Sequence, residues 1–357
     1  MTALQVVVAV AAAIGIYNPA LAQLPDSYAP SYAQTVDAAA LEGVVSIHTT
    51  TDETEAADLL AGFQALRPNI RVEYDELNST ELYDRFLADA AGGKVASDLV
   101  WSSAMDQQIK LVNDGYATTY ASPEAARLPQ WAVWNSEAYG VTAEPVAIAY
   151  NKALLPATEI PKTHTDLARL LANKAEELKG KVATYDPERS AVGLLFITQD
   201  VQITKSSWEL VRAMGEARAK LYSTTSTMLD RVAAGDQLIA YNIIGSYGFE
   251  RVKAEPSLGI VLPVDYTIVM SRIAFIPKGA PHPNAAKLFL DYLLSKDGQT
   301  RLAARSLGSV RDDVPANAIE HEGFFRPIRV GPELLTYLDQ AKRNRFLKDW
   351  RRVLQTH

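Results

Sequence analysis

Short β-rich runs alternate with amphipathic helical patterns in the first third of this 357-residue chain. The run Gly43–His48 precedes a helical pattern that places Ala56 and Phe63 on one face. The run Asp98–Trp101 likewise precedes a helical pattern over about Met105–Asn113. Such alternation is typical of an α/β fold, in which helices cover both faces of a sheet.

The same alternation continues after Lys152. Asn78 with Glu81, and Thr163 with Asp166, have the spacing of helix N-terminal caps. The later predicted elements are helices over 163–178, after 191, over 206–221 and over 285–294, and strands over 181–184, 237–242, 259–264 and 266–277.

The N-terminus has the pattern of an export signal. Val6–Ile16 is an unbroken apolar run, too short to span a bilayer, and Ala20-Leu21-Ala22 supplies an Ala-x-Ala cleavage site. We therefore predict a signal peptide over residues 1–22. Residues 23–40 show neither helical nor strand period, which predicts a flexible leader.

Composition narrows the range of functions. The chain has no cysteine, which excludes disulfides, and its net charge of −7 argues against a nucleic-acid surface. It contains no Gly-x-Ser-x-Gly elbow, P-loop or Gly-x-Gly-x-x-Gly motif, and its five histidines lack zinc spacing. We predict a monomeric protein that is not an enzyme and needs no cofactor.

An apolar strand ending in Tyr150-Asn151, within Tyr139–Lys152, carries the most specific resemblance. With the loop that closes at Thr163, it resembles the first hinge crossing in solute-binding proteins of bacterial ABC importers. The region Tyr266–Thr300 is similar to the same family, so the resemblance extends over nearly the whole mature chain.

This resemblance implies a two-lobed α/β fold with each sheet flanked by helices, two hinge strands and a ligand in the cleft between the lobes. It predicts lobe 1 over residues 41–145 and 268–305, lobe 2 over 146–267, and a C-terminal helical segment over 306–357 that packs on the lobes. The protein would lie in the periplasm, bind a small molecule and present it to an ABC permease in the inner membrane.

Three predicted strand-to-helix junctions are rich in hydroxyl groups, and such junctions bind ligands in open α/β sheets. The alternative is that each Ser or Thr only caps its helix. Asp186–Gly193 looks like the Asp-Pro-x-x-Ser-x-x-Gly loop of family members that bind anions, or iron with a synergistic anion. The candidate ligand contacts at these junctions are Thr50, Thr51, Ser102, Ser103, Arg189 and Ser190.

Further candidates lie later in the chain. Tyr241 and Asn242 belong to a predicted strand, whereas Asp265 and Tyr266 lie at the second crossing, where we expect them to line the cleft from behind. The ferric-ion binders of the family carry two adjacent tyrosines, and the positions that we align with them are occupied here by Gly245 and Ser246. If the ligand is iron, Tyr247 is the candidate metal ligand.

Two charged features have alternative explanations. Arg272, inside an apolar strand, either neutralises an anionic ligand or pairs with Glu144, and the pair is the favoured explanation. In the basic C-terminal helix, Phe346 and Trp350 stand four residues apart, which favours packing on a lobe over a docking site for a membrane partner.

The sequence thus predicts a periplasmic protein that captures a small anionic solute, with a phosphate ester as one candidate. Ferric ion is the first alternative, because of the resemblance to ferric-ion binders. An enzyme or a sensor built on the same two-lobed fold is the second.

Overall fold

The computed structural model describes residues 28–315 and 323–355. The predicted signal peptide lies outside this part of the chain. Within it, the strands in chain order are β1 (Val44–Thr49), β2 (Arg71–Glu76), β3 (Leu99–Ser102), β4 (Val133–Trp134), β5 (Ala138–Gly140), β6 (Glu144–Asn151), β7 (Val182–Tyr185), β8 (Lys220–Tyr222), β9 (Ile239–Ile244), β10 (Leu258–Val261), β11 (Thr267–Met270), β12 (Ile273–Phe275) and β13 (Phe325–Pro327).

Helices alternate with these strands over most of the described chain. They are α1 (Tyr32–Glu42), α2 (Glu53–Leu66), α3 (Ser79–Ala91), α4 (Met105–Asn113), α5 (His164–Asn173), α6 (Ala191–Ile203), α7 (Ser207–Glu216), α8 (Thr225–Ala233), α9 (Gly245–Ala254), α10 (Pro283–Leu294), α11 (Lys296–Ala304) and α12 (Gln340–Leu354). In this part of the chain, no helix is long and apolar enough to cross a membrane.

Helix α1 corrects the prediction of a flexible leader over residues 23–40, of which 23–27 lie outside the described part of the chain. It packs on α10 and buries Val36 and Ala39. The Glu42 carboxylate accepts hydrogen bonds from the backbone N–H groups of Asn284 and Ala285, and so caps α10. The helix is therefore held by tertiary contacts that its own sequence pattern does not reveal.

The first sheet has the strand order β2-β1-β3-β12-β5-β4. Strands β1, β2 and β3 are parallel, whereas β12 runs antiparallel to both β3 and β5. We call this sheet and its helices lobe 1. One face of the sheet packs on α1, α2 and α10, and the buried Trp101 and Phe289 belong to that core.

The second sheet has the order β13-β11-β6-β9-β7-β8, and β10 also pairs with β6. Strands β7, β8 and β9 are parallel, whereas β6 is antiparallel to β9. We call this sheet and its helices lobe 2. The predicted helix over 206–221 was too long, because Lys220–Tyr222 is strand β8 beside β7.

Two of the places at which the chain passes between the sheets are neighbours. The first crossing is 141–143, between β5 and β6, and the second is Ser271-Arg272, between β11 and β12. Residues 268–270, which the sequence assigned to lobe 1, pair with β6 and β13 in the second sheet instead. The long apolar region over 266–277 is thus two strands in different sheets.

The C-terminal segment makes contacts with both lobes. Strand β13 pairs with β11, after which the Val330 N–H donates to the carbonyl of Trp131 in lobe 1 at 2.7 Å. The 3₁₀ turn Pro332–Tyr337 packs on α4 of lobe 1, and α12 then packs on α7 of lobe 2. The segment therefore returns across the molecule beside the two hinge crossings.

Candidate functional site

The carboxyl ends of the parallel strands in lobe 1 face the crossings. Strand β3 ends at Ser102, which is paired with Ile273 at the start of β12, directly after the second crossing. The junctions after β1 and β3 therefore share one edge of the sheet with both crossings. In open α/β sheets, this is the edge at which ligands bind.

Lobe 2 presents the corresponding edge from the other side. Strand β9 ends at Ile244, which is paired with Val146 near the start of β6. The ends of β7 and β8 lie beside that of β9, so the loops after Tyr185 and Tyr222 share this edge. We call these two opposed edges the cleft edges.

Three of the predicted hydroxyl groups meet at the cleft edge of lobe 1. The Thr50 Oγ1 lies 3.4 Å from the Ser102 Oγ and 3.2 Å from the Ser103 Oγ. The backbone N–H of Ser103 donates to the Thr50 Oγ1 at 2.9 Å. Thr50 and Ser103 stay partly exposed beside the first turns of α2 and α4, whose N–H groups favour anions.

Thr51 belongs to a different group of side chains, fully buried between the crossings. The Arg272 guanidinium donates to Glu144 at 2.9 and 3.2 Å and to the Thr51 Oγ1 at 3.1 Å. Glu144 also accepts from the Thr142 and Ser246 hydroxyls, at 2.8 and 2.6 Å. We call these five residues the crossing cluster; its geometry supports the predicted Arg272–Glu144 pair.

A cavity of about 380 Å³ opens between the lobes, next to the crossing cluster. Its lining residues are Asp52, Thr54, Glu55, Ser226, Leu229, Tyr247, Glu250, Arg251, Ala254 and Arg305. Residues 52–55 follow β1 in lobe 1, whereas Ser226 and Tyr247 follow β8 and β9 in lobe 2. The cavity is therefore lined by both cleft edges and has charges of both signs.

Burial raises the pKa values of two titratable groups in this cavity, Glu55 and Tyr247. Burial raises the pKa of Glu55 to about 7; Arg272, 3.5 Å away, opposes the shift and Glu144 adds to it. Burial also raises the pKa of the Tyr247 phenol to about 12, against the opposing effect of Arg272. Near neutral pH, Tyr247 is a neutral hydrogen-bonding group and Glu55 exchanges a proton with solvent.

Ser190 and Arg189 follow β7 at the cleft edge of lobe 2. The Ser190 Oγ accepts from the Gly193 N–H at 3.1 Å, so this hydroxyl caps α6. The Arg189 side chain is exposed. Its neighbour Glu188 pairs with Arg351 of α12 at 3.2 Å.

A fourth hydroxyl-rich junction, Ser223–Thr227, lies between β8 and α8 and is absent from the sequence-based predictions. Thr224 caps α8, and the Thr225 Oγ1 lies 2.6 Å from the Tyr185 hydroxyl. Ser226 is exposed and lines the inter-lobe cavity. The run of five hydroxyl residues before a helical pattern indicates this junction in the sequence. The junction was not predicted, because β8 was assigned to the preceding helix.

Four predicted contacts are placed away from the cleft edges. The fully buried Asp200 carboxylate accepts from Tyr241 at 2.8 Å, Asn242 at 2.7 Å and Tyr266 at 2.9 Å. Asp265 binds the backbone N–H and the ring of His164, which stacks on Tyr266 with ring centroids 3.9 Å apart. We call these six residues the Asp200 cluster.

The topology explains this placement. Met270 is paired with Glu144 at the crossing, so Tyr266 lies at the other end of β11, roughly 13 Å away at the rise of a strand. A bulge in β9 gives Asn242 a positive φ of 61° and turns its side chain to the same side as that of Tyr241. The expectation that Asp265 and Tyr266 line the cleft is therefore corrected.

The positions aligned with the tyrosine pair of ferric-ion binders are closed to tyrosine here. A Cβ at Gly245 would lie 2.4 Å from the Pro145 carbonyl oxygen, and Ser246 is fully buried with its hydroxyl on Glu144. The Tyr247 hydroxyl faces Asp52 at 3.5 Å. Among the residues that the structure describes, no group of three or more His, Cys, Asp or Glu could hold a metal ion.

Two α/β lobes with a polar cleft between them, joined by paired crossings, are the architecture of proteins that bind a solute between two lobes. Residues 58–323 match the family model of the bacterial extracellular solute-binding proteins, and the chain belongs to this family. The predicted class, a solute-binding protein of the ABC-transporter type, is thereby confirmed, as is the two-lobed fold.

Solved structures agree with this assignment. The substrate binding protein of an ABC transporter from Agrobacterium tumefaciens is 39% identical, with a TM-score of 0.79 over 88% of this chain and 96% of its own. Iron-bound HitA from Pseudomonas aeruginosa is 18% identical, with a TM-score of 0.68 over 87% of this chain and 99% of its own. AfuA from Actinobacillus pleuropneumoniae, with fructose-6-phosphate bound, is 17% identical, with a TM-score of 0.69 over 88% of this chain and 99% of its own.

A sequence relative covers less of the molecule. An uncharacterized protein of Haemophilus influenzae is 28% identical over 149 residues, and the match spans 41% of each chain. Of the solved structures, HitA and AfuA support the fold alone, because they are only 18% and 17% identical to this chain.

Proposed function

We propose that the protein binds a small anionic solute between its cleft edges and delivers it to the permease of an ABC importer. The convergence of Thr50, Ser102 and Ser103 at the N-termini of two helices is the observation that carries this proposal. Hydroxyl groups and helix N-termini bind a phosphate or carboxylate without an added metal.

A phosphate ester of a polyhydroxylated solute fits the cleft better than inorganic phosphate. The hydroxyl groups at Thr50 and Ser103 suit the phosphate, and the cavity wall holds the cations Arg251 and Arg305, which pair with Asp230 and Asp58 in this structure. Asp52 and Glu55 are acceptors for the hydroxyl groups of the solute body, since carboxylates accept hydrogen bonds. AfuA, with fructose-6-phosphate bound, has the same fold.

Calorimetric titration tests this proposal with fructose 6-phosphate, fructose and inorganic phosphate as probes. We expect the ester to bind more tightly than either part. Replacing Thr50→Val and Ser103→Ala together should weaken binding of the ester by at least about tenfold, since each lost hydrogen bond to a charged group is worth about 1.5–3 kcal/mol.

Thr119→Val is the matched control, because this exposed threonine lies near the opposite end of the first sheet, two residues after the bridge between Ala117 and Pro277. It should leave binding unchanged. A thermal-shift screen with other anions, amino acids, polyamines and ferric salts widens the search, because a bound solute stabilises the folded state. Stabilisation by polyamines alone would refute an anionic solute.

The ferric alternative depends on Tyr247, which lies with Asp52 and Glu55 in the same cavity. Against it stand the raised pKa of the Tyr247 phenol and the absence of space for a second tyrosine at Gly245. Ferric salt that coloured the protein, with loss of the colour in Tyr247→Phe, would favour iron over an anion.

The remaining predictions concern location, assembly and context. We propose that the protein is exported to the periplasm and acts as a monomer that performs no covalent step on its solute. N-terminal sequencing of the secreted protein tests its export. The molecular mass from scattering in solution tests the monomeric state, and assays for turnover of bound esters test the absence of a covalent step. A sensor role would be favoured if the neighbouring genes encoded no permease and ATPase.

A further inference from the structure

The C-terminal helix α12 has two chemically different faces. Phe346, Leu347 and Trp350 are buried with the core of lobe 2, and Phe346 lies 5.5 Å from Trp208 between ring centroids. On the outward face, basic residues recur at intervals of three, three and four, which keeps them on one side of a helix. This basic stripe consists of Lys342, Arg345, Lys348 and Arg352, all exposed.

Little of the charge of this stripe is compensated by the protein itself. Arg352 pairs with Asp349 at 2.9 Å. For the charged groups of Lys342, Arg345 and Lys348, the structure records no ion pair within residues 28–315 and 323–355. Arg351, at the margin of the stripe, is neutralised by Glu188.

The stripe is also an exception to the charge of the whole chain. The net charge is −7, while α12 has six Lys or Arg and one Asp, so the remainder of the chain carries −12. An anionic surface would therefore attract this helix and repel most of the rest of the protein. The orientation that turns α12 toward such a surface is therefore favoured.

Helix α12 packs closely against α7 of lobe 2, which fixes the position of the basic stripe. A Cβ at Gly215 of α7 would lie 2.0 Å from the Leu354 carbonyl oxygen, so the two helices pack with almost no space between them. From Lys342 to Arg352 the stripe is about 15 Å long at the rise of an α-helix. It is a straight, outward-facing row of cations, which fits a flat surface better than an enclosed groove.

We propose that the basic stripe of α12 is a contact surface for the anionic phospholipid headgroups of a bilayer. Because the apolar face of α12 is buried in lobe 2, the contact is electrostatic and involves no insertion into the acyl chains. It would hold the protein loosely at a membrane, with a binding strength that falls as salt rises. The contact is independent of the identity of the solute.

Co-sedimentation with large vesicles tests the proposal. The probes are vesicles of phosphatidylcholine alone and vesicles with about one third phosphatidylglycerol, at an ionic strength of about 0.05 M, where screening is weak. The partition coefficient should be at least about fivefold higher on the anionic vesicles and should approach that on neutral vesicles at about 0.3 M salt.

A triple variant, Lys342→Gln, Arg345→Gln and Lys348→Gln, should remove most of this preference while thermal unfolding stays unchanged. The matched control is Lys94→Gln, Lys152→Gln and Lys220→Gln, which changes the net charge equally at three exposed sites outside α12. The control should bind anionic vesicles as the unmodified protein does. Equal partition on both kinds of vesicle, or an equal loss in the control, would overturn the proposal.

Discussion

Two buried polar clusters, the crossing cluster and the Asp200 cluster, have opposite relations to the cleft. The crossing cluster joins residues of both lobes, because Thr51 precedes α2 in lobe 1 and Ser246 belongs to α9 in lobe 2. The Asp200 cluster lies wholly within lobe 2, at the end of β11 away from the crossings.

The structural role of a polar residue in a predicted apolar strand therefore cannot be inferred from the sequence alone. Arg272 and Tyr241 both belong to stretches that the sequence predicts as strands, yet Arg272 ties the lobes together and Tyr241 supports a strand bulge within one lobe. The distinction depends on which sheet each neighbouring strand enters. Changes in the crossing cluster should therefore alter both stability and lobe orientation, whereas changes in the Asp200 cluster should alter stability alone.

The largest effect is expected for Arg272→Met, which leaves Glu144 charged, fully buried and without its cation. Removing one partner of a buried pair costs about 3–5 kcal/mol of unfolding free energy. Urea unfolding measures this loss, and small-angle scattering should report an altered radius of gyration, because the pair lies between the crossings. A loss below about 1 kcal/mol would contradict the burial of this pair.

A second substitution checks the cause. Adding Glu144→Gln removes the unpaired charge but keeps an acceptor and a donor for Thr142 and Ser246. The double variant should recover much of the lost stability. No recovery would mean that the packing of the Arg272 side chain, rather than its charge, is what the fold requires.

Asp200→Asn is the equivalent change in the other cluster. The NH₂ group that replaces one carboxylate oxygen cannot accept hydrogen bonds, so either the bonds from Tyr241 and Asn242 or the bond from Tyr266 is lost, and we expect a loss of about 2–3 kcal/mol. The radius of gyration should stay that of the unmodified protein. A change in lobe orientation comparable to that of Arg272→Met would remove the distinction between the clusters.

A third prediction uses pH to separate the clusters. The pKa of Glu55, beside Arg272, is about 7 in the folded protein against an ordinary 4.5. The folded state thus holds this proton more tightly, and the resulting stability is complete below about pH 4.5 and lost as pH rises through about 7. Glu55→Gln, neutral throughout, should be more stable than the unmodified protein by about 2 kcal/mol at pH 8.

Urea unfolding across pH measures this difference, which should vanish near pH 4.5. Asp200→Asn serves as the reference, because its loss of stability comes from hydrogen bonds rather than from the proton on Glu55. A difference between Glu55→Gln and the unmodified protein that stayed constant over this pH range would show that Glu55 titrates as an exposed carboxylate.

Much of the fold was predictable because its signals are local. The caps at Asn78 and Thr163 and the bounds of α4 depend on residues within one turn, and the structure has them as predicted. The pairing of Arg272 with Glu144 was predictable as well, since a buried cation needs a partner.

The failures have nonlocal causes. Helix α1 is fixed by the contact of Glu42 with α10, some 240 residues along the chain. Strand β8 has three residues and forms only because β7 lies beside it. At the candidate site, one extra residue in β9 directs the side chains of both Tyr241 and Asn242 toward Asp200. The alternation of polar and apolar residues along a strand does not by itself reveal such a bulge.

The smallest effect is expected for Tyr266→Phe. The ring keeps its stack on His164, and Asp200 keeps the donors of Tyr241 and Asn242, so only one hydrogen bond to the carboxylate is lost. The cost should be about 1.5 kcal/mol, the low end for a hydrogen bond to a charged group. Thr142→Val in the crossing cluster should cost more, since the Thr142 hydroxyl both donates to Glu144 and accepts from the Arg272 N–H. Tyr266→Phe should leave the affinity for fructose 6-phosphate unchanged, as measured by calorimetric titration. Weakened binding in this variant would indicate that Tyr266 contacts the solute, contrary to its position in the structure.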